Sequence, residues 1–158
     1  MCRLISAFLF YLVVPIFGAI PVDAQRNLVL FSKAPILIES GGKSHIFTVE
    51  LALSRRQQMQ GLMFRRQMAP DAGMLFVYRQ EEPTAMWMKN TFVPLDMLFI
   101  GRDGVVKKIA ERTVPLSEAT ITSGGPVVAV LELNAGTASR LGLKLGDKVI
   151  AAALGTNR

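Results

Sequence analysis

"PILIESGGKSHIFTVELAL", Pro35 to Leu53, carries the reading that decides the fold class. Two runs rich in branched aliphatic residues flank Gly41-Gly42. Glycine takes a positive φ without steric cost, so a Gly-Gly pair between two such runs marks a tight turn. The stretch is read as a strand over 35–40 and a return strand over 45–53. Ser54 then stands as a helix N-cap, and Gln57, three positions on, completes a capping-box pattern. A short helix to about Leu62 is expected.

The same punctuation recurs downstream. "PDAG" (70–73) is a turn, "MLFVY" (74–78) an apolar strand, and "RQEEP" a second turn before "TAMWM" (84–88). "PLDMLFI" (94–100) is the next strand and "GRDG" (101–104) a hairpin turn. "VVKKIAERTV" (105–114) should be half exposed. A polar loop with Gly124-Gly125 leads into "VVAVLEL" (127–133), "GTASRLGL" (136–143) looks helical, and "GDKVIAA" (146–152) closes the domain. Seven or eight short strands with one or two short helices predict a mainly β single domain, either an antiparallel β-sandwich or a partly open barrel. Strands alternating with long helices are missing from the pattern, which argues against a doubly wound nucleotide-binding sheet.

Residues 1–24 have a different character. Arg3 precedes an apolar run from Leu4 to Ile20, broken by Pro15 and Gly18, and the segment ends on Val22-Asp23-Ala24. A positive start, an apolar middle and a small-residue end make a secretory signal peptide. An uncleaved anchor needs ~20 apolar residues, and this run is shorter and carries a proline. Cleavage after Ala24 is expected, leaving Gln25–Leu30 and the residues up to 34 as a tether, 35–154 as the domain and 155–158 as a tail. The predicted location is periplasmic or secreted, with no stable membrane span once the segment is removed.

That cleavage removes Cys2, the single cysteine, so the mature chain has neither a disulfide nor a thiol nucleophile. Cys2 also lies ahead of the apolar run, too early for a lipoprotein acceptor. Arg3 and Asp23 leave together, which keeps the net charge at +6. The basic residues form no dense run, and export makes nucleic acid a poor partner; a solvated basic face is the plainer reading. An unidentified small molecule or an envelope protein is the expected partner.

"GLMFRR" (61–66), "GMLFVY" (73–78), "MWMKNTFVPLDMLFI" (86–100) and "VLEL" (130–133) occur in an order and spacing that resemble the domain of unknown function 192 family. The resemblance covers roughly Leu53 to Ala151. It implies a small, mainly β domain, often exported in bacteria, with no assigned activity. The motif positions are Gly61, Leu62, Met63, Arg65, Gly73, Met74, Trp87, Lys89, Asn90, Thr91, Pro94, Asp96 and Glu132.

Candidate site residues come from the polar positions in apolar surroundings. On strand 94–100 both faces are apolar, so Asp96 enters a setting where a bare carboxylate is costly. Either it ties the Asn90–Pro94 loop through turn donors, or it joins Trp87, Lys89 and Asn90 around a polar groove that holds a ligand. Glu132, inside "VAVLEL", should be paired with Arg65 or exposed on an edge. Three function classes follow. A binding or accessory module would use Trp87, Lys89, Asn90 and Asp96, with Arg65 and Glu132 nearby. A hydrolytic enzyme would use Asp96 or Glu132. A methionine copper carrier would use Met59 and Met63, four apart on one helix face, since thioethers suit Cu(I); methionine is more often core filler. The lone His45 leads a strand face continued by Phe47, Val49 and Leu51, which marks it as a core or turn residue. No serine stands in a nucleophile-elbow context and no zinc ligand set exists. Neither a catalytic set nor a cofactor is predicted.

Overall fold

The structure, a computed structural model, describes residues 29–156. The signal-peptide and cleavage-site expectations fall outside those residues. β1 (Ser32–Ser40) and β2 (Lys43–Ala52) form the hairpin, turning at Gly41 and Gly42, both at positive φ. α1 (Arg55–Gln60) starts at the Ser54 cap. The Ser54 side chain accepts the Gln57 amide, and the Gln57 side chain accepts the Ser54 amide, so the capping box is complete. β3 (Ala72–Met86), β4 (Leu95–Ile100), β5 (Val106–Ala110), β6 (Ile121–Asn134), α2 (Thr137–Leu141) and β7 (Lys148–Ile150) follow.

The seven strands form one sheet in the order β5-β4-β6-β3-β2-β1-β7. It curls into a half-barrel, mainly β as the sequence predicts. Its two ends meet through the Val105–Lys148 bridge, with the Val106 amide donating to the Asp147 carbonyl at 2.9 Å. One pairing departs from the antiparallel expectation. β2 and β3 run parallel, because α1 and the loop after it return the chain to the same end of the sheet.

Two apolar cores lie on the two faces. The first draws Ile38, Val49, Leu75, Leu98, Val106, Leu131 and Val149 from all seven strands, which places it inside the curl. The second covers only the middle strands, with Met74, Phe76, Met97, Phe99 and Val130 packed beneath Leu62 and Met88. β4 is therefore buried on both faces along its whole length. Between β3 and β6 the packing is tight enough to demand glycine: a Cβ on Gly73 would stand 2.5 Å from the Glu132 carbonyl oxygen.

The main departure from the sequence reading is the length of β3 and β6. "RQEEP", expected as a turn, stays extended, and "TAMWM" is the continuation of the same strand as far as Met86. Register shifts between Val77 and Glu82 and between Pro83 and Ala85 absorb the two prolines that face each other, Pro83 and Pro126. β2 pairs with β3 only up to Phe76, and β4 with β6 only from Ala129 onward. The outer halves of β3 and β6 thus form a two-stranded arm beyond the sheet.

Candidate functional site

Between this arm and α1 lies a pocket of about 620 Å³. α1 and its exit contribute Gln58 to Met63, the arm contributes Glu82 to Trp87, and Phe76, Tyr78, Lys89, Asn90, Thr91 and Glu132 complete it. The volume falls within the usual range for small-molecule sites, ~300–1,000 Å³.

Glu132 is its most unusual member. β6 is an interior strand of the sheet, between β4 and β3, so the residue has no edge to escape to. Met74 on β3 and Met97 on β4 stand directly opposite it, and both are fully buried. Glu132 itself is 4% exposed. Among the described residues its side chain makes no hydrogen bond or ion pair. Burial alone pushes its carboxyl up to about 8, so the group is mostly a neutral acid at pH 7. Tyr78 is shifted upward too, first by burial and then by the charges of Glu132 and Glu82. Its hydroxyl donates to the Met86 sulfur at 3.4 Å.

Arg65 goes elsewhere. Its guanidinium makes a two-pronged pair with Glu50, at 2.8 and 2.5 Å, and lies over the Phe31 ring. The hydrogen bond from Arg65 is the main reason the Glu50 carboxyl sits below its ordinary range. The expected Arg65–Glu132 pair is therefore corrected: the loop after α1 delivers Arg65 to β2, not to β6.

Asp96 is also absent from the pocket. It stands opposite Leu133 on β6, on the face away from Glu132, and is fully buried. One carboxylate oxygen accepts the Arg112 amide at 2.9 Å, the other the Ala138 amide at 2.8 Å. A structural role was one of the two sequence readings, but the donors are not those of the Asn90–Pro94 loop. α2 begins from Gly136, which has no side chain to cap it, and Asp96 supplies the acceptor from another strand.

The loop after β3 holds the rest. Asn90 adopts a positive φ of 55°, a conformation asparagine tolerates better than most side chains. Its carbonyl accepts the Phe64 amide at 2.8 Å, while the Thr91 carbonyl accepts the Leu116 amide at 3.1 Å. "KNT" therefore clamps the loops around 64 and 116 together. The same turn lifts Trp87, 50% exposed, and Lys89 to the mouth of the pocket. The Lys89 ammonium lies 5.3 Å from the Trp87 ring centroid and 3.3 Å from Glu118. Both partners of that ion pair are substantially exposed, so it contributes ~0–1 kcal/mol. Lys89→Ala is expected to leave the urea midpoint nearly unchanged, which an equilibrium melt checks.

Met59, Met63 and Met86 also line the pocket. The Met63 sulfur accepts from the Asn90 amide group at 3.9 Å, and the Met86 sulfur from Tyr78. With two sulfurs engaged, titration against a competing Cu(I) chelator is expected to show no tight stoichiometric site. Copper retained by the wild type and lost on Met59→Leu with Met63→Leu would contradict this.

The sequence grouped Trp87, Lys89, Asn90 and Asp96 around one groove with Arg65 and Glu132 nearby; Trp87, Lys89, Asn90 and Glu132 do meet in one pocket, and Asp96 and Arg65 lie outside it. It missed Phe76, Tyr78 and the whole wall from Glu82 to Met86. The available signal was Glu132 itself, an acid inside an apolar run long enough to cross the middle of a sheet.

No curated protein matches the chain. A solved structure from Sinorhizobium meliloti 1021, of a protein proposed to be a transcription regulator, is 52% identical with a TM-score of 0.78, covering 80% of this chain and 98% of its own. A protein of unknown function from Novosphingobium aromaticivorans is 36% identical with a TM-score of 0.75, covering 89% of this chain and 91% of its own. The model of an uncharacterised family, described as "Uncharacterized ACR", matches residues 36–151. The chain belongs to that family, the domain of unknown function 192 family.

Proposed function

We propose that this chain is an exported binding or accessory module, and that its ligand site is the pocket under Trp87 and Lys89 with Glu132 at its floor. One observation carries the reading: a buried carboxyl with no partner among the described residues opens into a pocket whose walls include Phe76, Tyr78, Leu62 and methionines. A buried polar group left unpaired costs ~1–3 kcal/mol, and a bound ligand that completes its hydrogen bonds offsets that cost. Export rests on the apolar segment after Arg3 and on the small residues up to Ala24.

A hydrolytic reading draws on one specific feature, a carboxyl that titrates near neutral pH, as a general acid or base would. Of Asp96 and Glu132 it would have to use Glu132, because Asp96 faces the other side of the sheet with both oxygens occupied by backbone amides. Among the described residues no serine, histidine or cysteine lines the pocket to serve as a nucleophile. The binding reading is the better supported.

Native mass spectrometry of protein taken from its own compartment tests it. A retained small molecule, lost on Trp87→Ala combined with Glu132→Gln, is the expected result. A retained molecule indifferent to both substitutions would place the site elsewhere.

A further inference from the structure

We propose that the ligand of this pocket is a small organic amine in its ammonium form, with an apolar body among the aromatic and thioether side chains and its nitrogen against Glu132. The inference rests on the pocket being the binding site and adds the chemical class of the ligand.

The charges around the pocket favour a cation over an anion. Glu82 and Glu132 line it, against Lys89 as the single basic lining residue among the described residues, and Lys89 is already paired with Glu118. On β3, Tyr78 and Glu82 line the same pocket as Glu132; β4 presents Met97 opposite it and the end of α1 presents glutamines and methionines, so no basic group approaches the carboxyl from those elements. The walls fit the same chemistry. Phe76, Tyr78 and Trp87 bring three aromatic rings to one cavity, and ring faces attract ammonium groups. Lys89 already shows this at the mouth, its ammonium held 5.3 Å from the centre of the Trp87 ring. A volume of about 620 Å³ accepts a whole small molecule rather than one side chain of a larger partner.

Docking of an ammonium changes the state of Glu132. The amine arrives already protonated, and the neutral carboxyl releases its proton to solvent, leaving a carboxylate–ammonium pair in the apolar floor. Binding at pH 7 should therefore release a proton, which makes the calorimetric heat depend on the ionisation enthalpy of the buffer.

Three ligands of nearly equal shape test the assignment: phenethylamine, phenethyl alcohol and hydrocinnamate, titrated calorimetrically into the mature chain in phosphate and in Tris. Phenethylamine is expected to bind at least tenfold more tightly than the other two, with a buffer-dependent heat. Glu132→Gln, nearly isosteric, should remove both the preference and the buffer dependence, its fold checked by circular dichroism and an amide spectrum. If the alcohol or the carboxylate binds as well as the amine, the ammonium assignment is overturned while the pocket stands as a binding site. If none of the three binds at millimolar concentration and none shifts the amide signals of Trp87 or Glu132, both the assignment and the binding reading fail.

Discussion

Asp96→Ala is expected to cause the largest loss of stability of any single substitution at the polar positions considered above. The carboxylate is fully buried, and each oxygen holds one backbone amide, Arg112 at 2.9 Å and Ala138 at 2.8 Å. Alanine leaves both amides without an acceptor. A buried donor left unpaired costs ~1–3 kcal/mol, and hydrogen bonds to a charged group lie toward the upper end. The Arg112 loop is more exposed, so water can replace part of its bond; the Ala138 amide has no such access. α2, without a cap of its own, should loosen first, and with it the buried Ala138 and Leu143. Asp96→Asn separates charge from geometry. Its one side-chain oxygen can serve one amide, while its NH2 group opposes the other donor, so it should recover only part of the loss. Urea midpoints of the wild type and the two variants check this. A midpoint for Asp96→Ala as close to wild type as that of Lys89→Ala would contradict the role assigned to the carboxylate.

Glu132→Gln should change the pH dependence of stability more than any other conservative substitution. The carboxyl titrates near 4.5 when unfolded and at about 8 in the folded chain, raised by burial. Below 4.5 both states hold the proton, and the stability is fully present. Between 4.5 and 8 the unfolded chain loses the proton while the folded chain keeps it, so folding grows less favourable as pH rises. The slope is ~1.4 kcal/mol per pH unit at most, and the loss is complete above the folded value. Glu50 behaves in the opposite sense. Its carboxyl is lowered, so its contribution is present above its unfolded value and fades as pH falls, in a separate and more acidic window. The difference in urea midpoint between Glu132→Gln and wild type should thus be small near pH 4, grow through pH 7 and level off near pH 9, with the variant the more stable. A difference that stays constant over that range would mean that Glu132 titrates normally and that the floor of the pocket is wet.

The local pattern of the sequence accounts for most of the strands. Alternation of apolar and polar residues, Gly41-Gly42, the Ser54–Gln57 box and the "GRDG" turn act within a few residues, so the chain carries them legibly. The family motifs added the specific segments, and Gly73 has a visible reason in the close approach of the Glu132 carbonyl. "RQEEP" was misread because turn chemistry and a bulged, proline-bearing strand share a composition. What keeps it extended is the pairing of Glu82 with Val127 and of Pro83 with Pro126, some forty positions away. The partners of the charged residues were hidden for the same reason. Arg65 could be matched to an acid by sign alone, and only the path of the chain after α1 selects Glu50 over Glu132.

The sequence by itself determined a mainly β domain, the helix start at Ser54, the burial of both faces of β4, and the need of Asp96 for donors, because these follow from periodicity, side-chain volume and the cost of burying charge. The tertiary structure alone decided that Asp96 serves α2 and the 112 loop, that Arg65 pairs with Glu50, and that Glu132, without a partner among the described residues, joins Trp87, Lys89 and Asn90 at their groove. Strand order, crossover and register set those distances. They arise from the competition of whole strands for burial, in which no single residue holds the deciding free energy.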